Sequence, residues 1–236
     1  MRRARLRLHG ALGDFVAPER RSAAFDVAFE LPVGLRDLVQ SVGVPHVEVG
    51  AITIDASPVP WSHTVDDGAA VEAHPRYPLA APPDHARFLL DVHLGRLAAY
   101  LRLAGFDTAH DPGADDPALV TRSRRANRIL LTRDRGLLMH AALRNASYVR
   151  ATDPLLQIDE VVARFALQTL IEPFTRCMVC NTPLENTGRD TAAGRVPEDV
   201  LAAHTDFRHC PGCDRIYWQG SHHERLLRLV ERMRGG

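Results

Sequence analysis

The sequence predicts an α/β protein organised around a parallel sheet, and three observations carry that reading. One pattern recurs between Arg87 and Pro154: a short apolar run, an Asp, then a helical segment. Phe88-Leu89-Leu90 leads to Asp91, Ile129-Leu130-Leu131 leads through Thr132-Arg133 to Asp134, and Tyr148-Val149 leads through Arg150-Ala151-Thr152 to Asp153. Short apolar runs that alternate with helical patterns read as βα units with parallel strands. The first 80 or so residues form a different block, with period-two alternation. The four cysteines fall in two CxxC pairs, Cys177/Cys180 and Cys210/Cys213.

Composition limits the possibilities. At 236 residues the chain makes one large domain or two to three small ones. Its 45% hydrophobic and 25% charged content is that of a soluble globular protein. No apolar run approaches the roughly 20 residues that cross a bilayer, so no membrane association is expected. The basic start MRRARLRLHG is not followed by an apolar core, so a cytoplasmic protein is expected. Twenty-nine basic residues, all Arg, balance 29 acidic ones, which leaves no general attraction for nucleic acid. The charge is uneven, however, with Arg122, Arg124, Arg125, Arg128, Arg133, Arg135, Arg144 and Arg150 in the central stretch.

Taken in order, Arg3 to His9 alternates as a half-buried strand, and Ala24 to Phe29 can pair with it as a hairpin. Gly34 to Val42 places Leu35, Leu38, Val39 and Val42 on one helical face, ended by Gly43 and Pro45. Val49 to Ile54 and Ala69 to Ala73 supply two more strands, the second after an Asp66-Asp67-Gly68 turn. The order β-β-α-β-β is that of a β-grasp, and the block resembles the small ubiquitin-like sulfur carriers. Carrier chemistry needs a free terminal Gly-Gly. Here the block runs into Tyr77-Pro78 and a Pro-rich linker, Leu79 to Pro83, so a docking or substrate-positioning module is expected, open to a protein partner. The terminal Arg234-Gly235-Gly236 follows a different domain.

In the central stretch, Leu94, Leu97, Ala98, Leu101 and Leu103-Ala104 give a helix stopped by Gly105. Phe106 to Ala109 reads as the second strand. Asp116 is placed as an N-cap with Pro117 at the first helical position. Gly136 to Leu143 reads as a third helix, Ser147 to Arg150 as a fourth strand and Leu155 to Leu170 as a fourth helix. In the last block, two CxxC knuckles are a strong zinc signal, because thiolates suit Zn²⁺ and each turn offers two sulfurs to one tetrahedron. Two disulfides are the alternative, which a cytoplasmic protein disfavours. The long segment between the pairs implies an excursion around Arg195-Val196-Pro197, and Glu224 to Met233 forms a final helix. Tyr217 and Trp218 either stack bases or support the ribbon.

The stretch LLDVHLGRLAAYLRLAGFDT, with DDPALV and NRILLTRDRGLL after it, closely resembles the Mut7-C ribonuclease family, a branch of the PIN-like nucleases. The run YWQGSH at Tyr217–His222 resembles the end of that family's ribbon. The resemblance implies a β-grasp domain at 1–79, a PIN-like three-layer α/β/α core with a parallel sheet at 85–172, and a zinc ribbon with a C-terminal helix at 173–236. Pro117 departs from the family's usual polar residue and suits a helix start.

Crowded carboxylates repel unless a cation sits among them, and hard dications prefer oxygen ligands. The strand-end Asp residues therefore point to Mg²⁺ or Mn²⁺, and the resemblance implies a metal-dependent ribonuclease that uses metal-activated water on RNA. Asp91 and Asp134 are the leading ligands. Asp116 is the third, ahead of Asp115. Asp153, which precedes Pro154, is either a further member or a helix cap. Arg96, Arg133 and Arg135 are candidate phosphate contacts, with ion pairing as their structural alternative. A non-catalytic RNA-binding or scaffold protein on the same fold is the competing reading.

Overall fold

The structure is a computed structural model in which residues 1–76 and 86–235 are described. The Leu79 to Pro83 linker and the domain limits expected at 79 and 85 lie outside the described residues. The chain divides into two compact units: Met1–Leu79 with Asp116–Tyr148, and Ala80–Asp115 with Val149–Gly236.

The N-terminal block contains β1 (Arg2–Leu8), β2 (Phe25–Phe29), β3 (Val33–Gly34), α1 (Leu35–Ser41), β4 (Val49–Ile54), β5 (Ser57–Pro58), β6 (Thr64–Val65) and β7 (Ala70–Pro75). Five strands form a sheet in the order β2-β1-β7-β4-β5, and β3 and β6 make a separate pair. β1 is antiparallel to β2 and parallel to β7, and β4 is antiparallel to β7. This is the expected β-grasp arrangement. The alternation is the cause: Ala4, Leu6 and Leu8 are buried while Arg3, Arg5 and Arg7 face water. α1 covers the sheet with Leu35, Leu38 and Val39, and Gly43, at φ +91°, turns the chain out of it.

The central elements are β8 (Phe88–Leu90), α2 (Gly95–Leu103), β9 (Thr108–His110), α3 (Asp116–Arg125), β10 (Ile129–Thr132), α4 (Arg135–Leu138), β11 (Ala146–Tyr148) and α5 (Pro154–Arg164). The four strands make two parallel pairs, β8 with β9 and β10 with β11. Phe88, Leu89 and Leu90 are all fully buried, as an unbroken apolar run in a strand covered on both faces must be. α2 buries Leu97, Ala98 and Leu101, and at Gly105 (φ +98°) any side chain would collide with the Glu172 carbonyl.

Several boundaries differ from the sequence reading. α3 takes Asp116 as its first residue rather than as a cap. The third helix is a four-residue turn, not a run to Leu143. The carbonyls of Met139 and Leu143 are claimed by Gln40 Nε2 (2.9 Å) and His46 Nε2 (3.0 Å), partners about a hundred residues away in sequence. β11 ends at Tyr148, and just beyond it the amides of Arg150 and Ala151 donate to the Glu160 carboxylate. α5 stops at Arg164, and Ala166 follows with φ +50°.

The last block contains β12 (Glu185–Thr187), α6 (Arg189–Ala192), α7 (Glu198–Ala203), β13 (Phe207–His209), β14 (Ile216–Tyr217) and α8 (His223–Gly235). β13 pairs antiparallel with both β12 and β14. The expected excursion is the pair α6–α7, set between β12 and β13. α8 buries Val230 and Met233 and pairs Arg232 with Asp159 of α5. Among the described residues, no helix is long and apolar enough to cross a membrane.

Candidate functional site

Four cysteines converge at the base of the β12–β13–β14 ribbon. Each CxxC folds by the same pair of backbone bonds. Cys177 N donates to Thr182 O and Asn181 N to Cys177 O; Cys210 N donates to Arg215 O and Asp214 N to Cys210 O. The fifth residue of each turn, Asn181 or Asp214, takes positive φ, 71° and 60°, where the polar Asn and Asp are tolerated best after Gly. Gly212 is required for a different reason: a Cβ there would overlap the Thr182 hydroxyl. The sulfurs of Cys177 and Cys213 lie 3.5 Å apart, those of Cys180 and Cys210 3.3 Å, and those of Cys210 and Cys213 3.6 Å. A disulfide needs about 2.05 Å, so these are four free thiols. Around a tetrahedral zinc with Zn–S of about 2.3 Å, neighbouring sulfurs stand about 3.8 Å apart, so the donor set fits that ion after a small expansion.

Burial raises the pKa of the Cys180 thiol, but hydrogen bonds at Thr182 and from the neighbouring sulfurs outweigh it and bring it down to about 6. Burial and the three adjacent sulfurs push Cys213 up to about 12. The cluster thus shares its protons unevenly, the situation that a dication resolves by replacing them. The Tyr217 hydroxyl lies 3.0 Å from Cys177 Sγ, which ties this ring to the ribbon. The first knuckle is anchored to α2 and β9. Buried Arg102 donates to the Met178 and Val179 carbonyls (3.1 and 2.8 Å), and Asn181 accepts from Thr108 N and donates to Asp107.

The strand-end carboxylates share one local device: one oxygen accepts the backbone N–H two residues on. Asp91 Oδ1 accepts from His93 N at 2.9 Å, Asp134 Oδ1 from Gly136 N at 2.7 Å and Asp153 Oδ1 from Leu155 N at 2.8 Å. Asp134 also caps Leu137 N, and its own amide donates to the buried Thr132 hydroxyl at 2.8 Å, which explains Thr in the Leu-Thr-Arg-Asp run. Gly136 is tight against that carboxylate, since a Cβ would stand 3.1 Å from Asp134 Oδ1. Asp91 is buried at 4% exposure, whereas Asp115, Asp116, Asp134 and Asp153 are exposed. Asp153 is the cap of α5, bonding Leu155 N and Leu156 N.

A fourth such acid escaped the sequence reading. Asp111 Oδ1 accepts from Gly113 N at 3.2 Å. β8 and β9 pair Leu90 with His110, so Asp91 and Asp111 each follow directly on a paired residue of adjacent parallel strands. The signal was weak, because Thr108-Ala109-His110 is not an apolar run and the following Pro112-Gly113 reads as loop. Gly95 of the Leu-Gly-Arg motif is explained too, because a Cβ there would press 3.3 Å from the His110 ring.

Of the candidate phosphate contacts, Arg96 is exposed in the first turn of α2 and Arg133 is half-buried beside Asp134. Arg135 is structurally engaged. Its guanidinium donates to Asp14 O at 2.9 Å and lies 5.3 and 5.5 Å from the Phe15 and Tyr148 ring centres. Arg124, Arg125 and Arg144 line a polar recess of about 460 Å³ with Asn127 and Asn145.

Strand-end acids on parallel strands, a β-grasp sheet and a four-cysteine ribbon together define a class: a mixed α/β protein with carboxylates after its parallel strands and a thiol cluster at its C-terminal end. The family model for the Mut7-C RNAse domain matches residues 86–230, and that for Mut7-C ubiquitin matches residues 1–79. The chain belongs to the Mut7-C RNAse family. No curated protein and no solved structure matches it.

Proposed function

We propose that the chain is a divalent-metal-dependent ribonuclease, with Asp91 and Asp134 as principal metal ligands. Asp116, then Asp115, supplement them, and Asp111 joins Asp91 from the neighbouring strand. Asp153 is primarily the α5 cap. The carrying observation is the RNase-family match combined with a backbone-oriented carboxylate after each central strand. A carboxylate with one oxygen fixed by a backbone N–H is held in a set direction, and carboxylate oxygens suit a hard cation. Mg²⁺ or Mn²⁺ bound there supplies a water of lowered pKa and neutralises charge on the scissile phosphate. Arg96 and Arg133 contact phosphates, while Arg135 positions the start of α4 and so the Asp134 carboxylate. The recess at Arg124, Arg125 and Arg144 gives a locally basic surface for the RNA backbone on a chain of zero net charge. Zn²⁺ is the structural ion of the ribbon, and the domain limits follow as 1–79, 85–172 and 173–236, in a cytoplasmic protein.

The β-grasp module serves as a docking element. Gln40, His46, Arg36 and Arg76 bond the carbonyls of Met139, Leu143, Ala141 and Arg144, so the module holds the α4–β11 segment and leaves its other surfaces to a protein partner. One observation favours the second reading, a non-catalytic RNA-binding scaffold: the capping bonds alone give the strand-end acids a structural purpose. Incubating labelled RNA with the full chain separates the two. Cleavage with Mn²⁺ that stops on chelation supports the enzyme; RNA retained intact under every dication supports the scaffold.

A further inference from the structure

β1 and β7 run parallel with Leu8 opposite Ala73, and His9 N extends the pairing by donating to Ala73 O at 2.9 Å. Leu8 and Ala73 point into the β-grasp core, at 4% and 0% exposure. Period-two geometry therefore sends His9, Glu72 and His74 to the opposite, outer face of the sheet. His9 Nε2 lies 2.9 Å from Glu72 Oε2, and His74 Nε2 lies 4.0 Å from the same oxygen. The two imidazoles are stacked, with centres 4.2 Å apart and planes within 8°. One donor atom from each of the three residues lies within 4.8 Å of the others, and all three side chains are half-buried.

We propose that His9, Glu72 and His74 form a second metal site, separate from the four cysteines, that takes a borderline transition dication such as Ni²⁺, Cu²⁺ or Zn²⁺. An ion pair with Glu72 needs only one imidazole, whereas a dication uses both rings. With metal–ligand bonds of about 2.0–2.2 Å, cis ligands stand about 3 Å apart, so the set is completed by closing the His74–Glu72 gap and by turning the two rings out of their stack, which aims both nitrogen lone pairs at one point. Two imidazoles and one carboxylate favour nitrogen- and oxygen-preferring ions over the soft ones that thiolates select, and the remaining positions fall to water. The strand ends are held together beside the three residues: Gly10, at φ +52°, packs so closely on Pro75 that a Cβ would stand 3.3 Å from its ring.

The test uses the full chain with its cysteines loaded with zinc, titrated with Ni²⁺ by calorimetry and followed by the imidazole resonances in NMR. One further equivalent is expected to bind and to shift His9 and His74. Glu72→Gln weakens it by about tenfold or more, and His9→Gln/His74→Gln abolishes it, with zinc content and circular dichroism unchanged. Unaltered Ni²⁺ binding in these variants would assign it to others of the chain's 12 histidines and overturn the proposal. So would the absence of any such binding to the wild-type chain. If the double variant misfolds, Glu72→Gln alone decides by the same criterion.

Discussion

At the scale of single residues, the notable feature is that the strand-end carboxylates are held by the backbone. A free Asp side chain samples several rotamers; Asp91, Asp111, Asp134 and Asp153 each have one oxygen fixed by an N–H two residues on. For Asp153 the consequence is a prediction in stability. Asp153→Ala lowers the unfolding free energy by about 1 kcal/mol in urea denaturation, while Asp153→Asn, itself a good cap, leaves it nearly unchanged. Arg135 behaves as a positioning residue. Removing its guanidinium costs about 1 kcal/mol through the lost Phe15 and Tyr148 contacts and the Asp14 bond. The salt dependence of RNA binding stays as it was, whereas a lost phosphate contact would flatten it.

At the scale of elements, the ribbon and the β-grasp make separate predictions. Cys177→Ser is expected to remove the metal from the ribbon: plasma emission should find about one zinc per chain in the wild type and essentially none in the variant, whose knuckles unfold. His46 packs between α1 and the segment before β11. Burial lowers its pKa below the ordinary 6.5, helped by the charges of Arg36 and Arg76, against the opposing pull of the Leu143 carbonyl. An unfolded chain therefore takes up a proton that the folded one resists, and stability from this group falls as pH drops below about 6.5. Thermal midpoints recorded between pH 7.5 and 5 should decline less steeply in His46→Gln than in the wild type.

The same scale shows what was legible in the sequence. The β-grasp strands were, because alternation such as Arg5-Leu6-Arg7-Leu8 reports burial directly. The zinc knuckles were, because CxxC spacing is set by local turn geometry. The extent of the third helix was not: Gln40 and His46 take the carbonyls of Met139 and Leu143, and no local pattern announces partners so remote. Asp111 was missed because its strand, Thr108–His110, is three residues long and runs straight into Pro112-Gly113.

At the scale of the whole molecule, the proposed action on RNA by a chain of zero net charge calls for local patches, and Arg124, Arg125 and Arg144 are the basic recess on hand. Replacing Arg124 and Arg125 with Ala should weaken binding to unrelated RNA sequences about equally and reduce the slope of log affinity against log salt by about 2. The central claim, that oxygen ligands after separate strands serve one hydrolytic reaction, is tested most directly by single-turnover cleavage of labelled RNA with Mn²⁺. Wild type, Asp91→Asn and Asp134→Asn are compared after each variant is shown to retain its fold and its zinc. The account predicts cleavage by the wild type and a loss of at least about a hundredfold in each variant. Equal rates in all three proteins would contradict it.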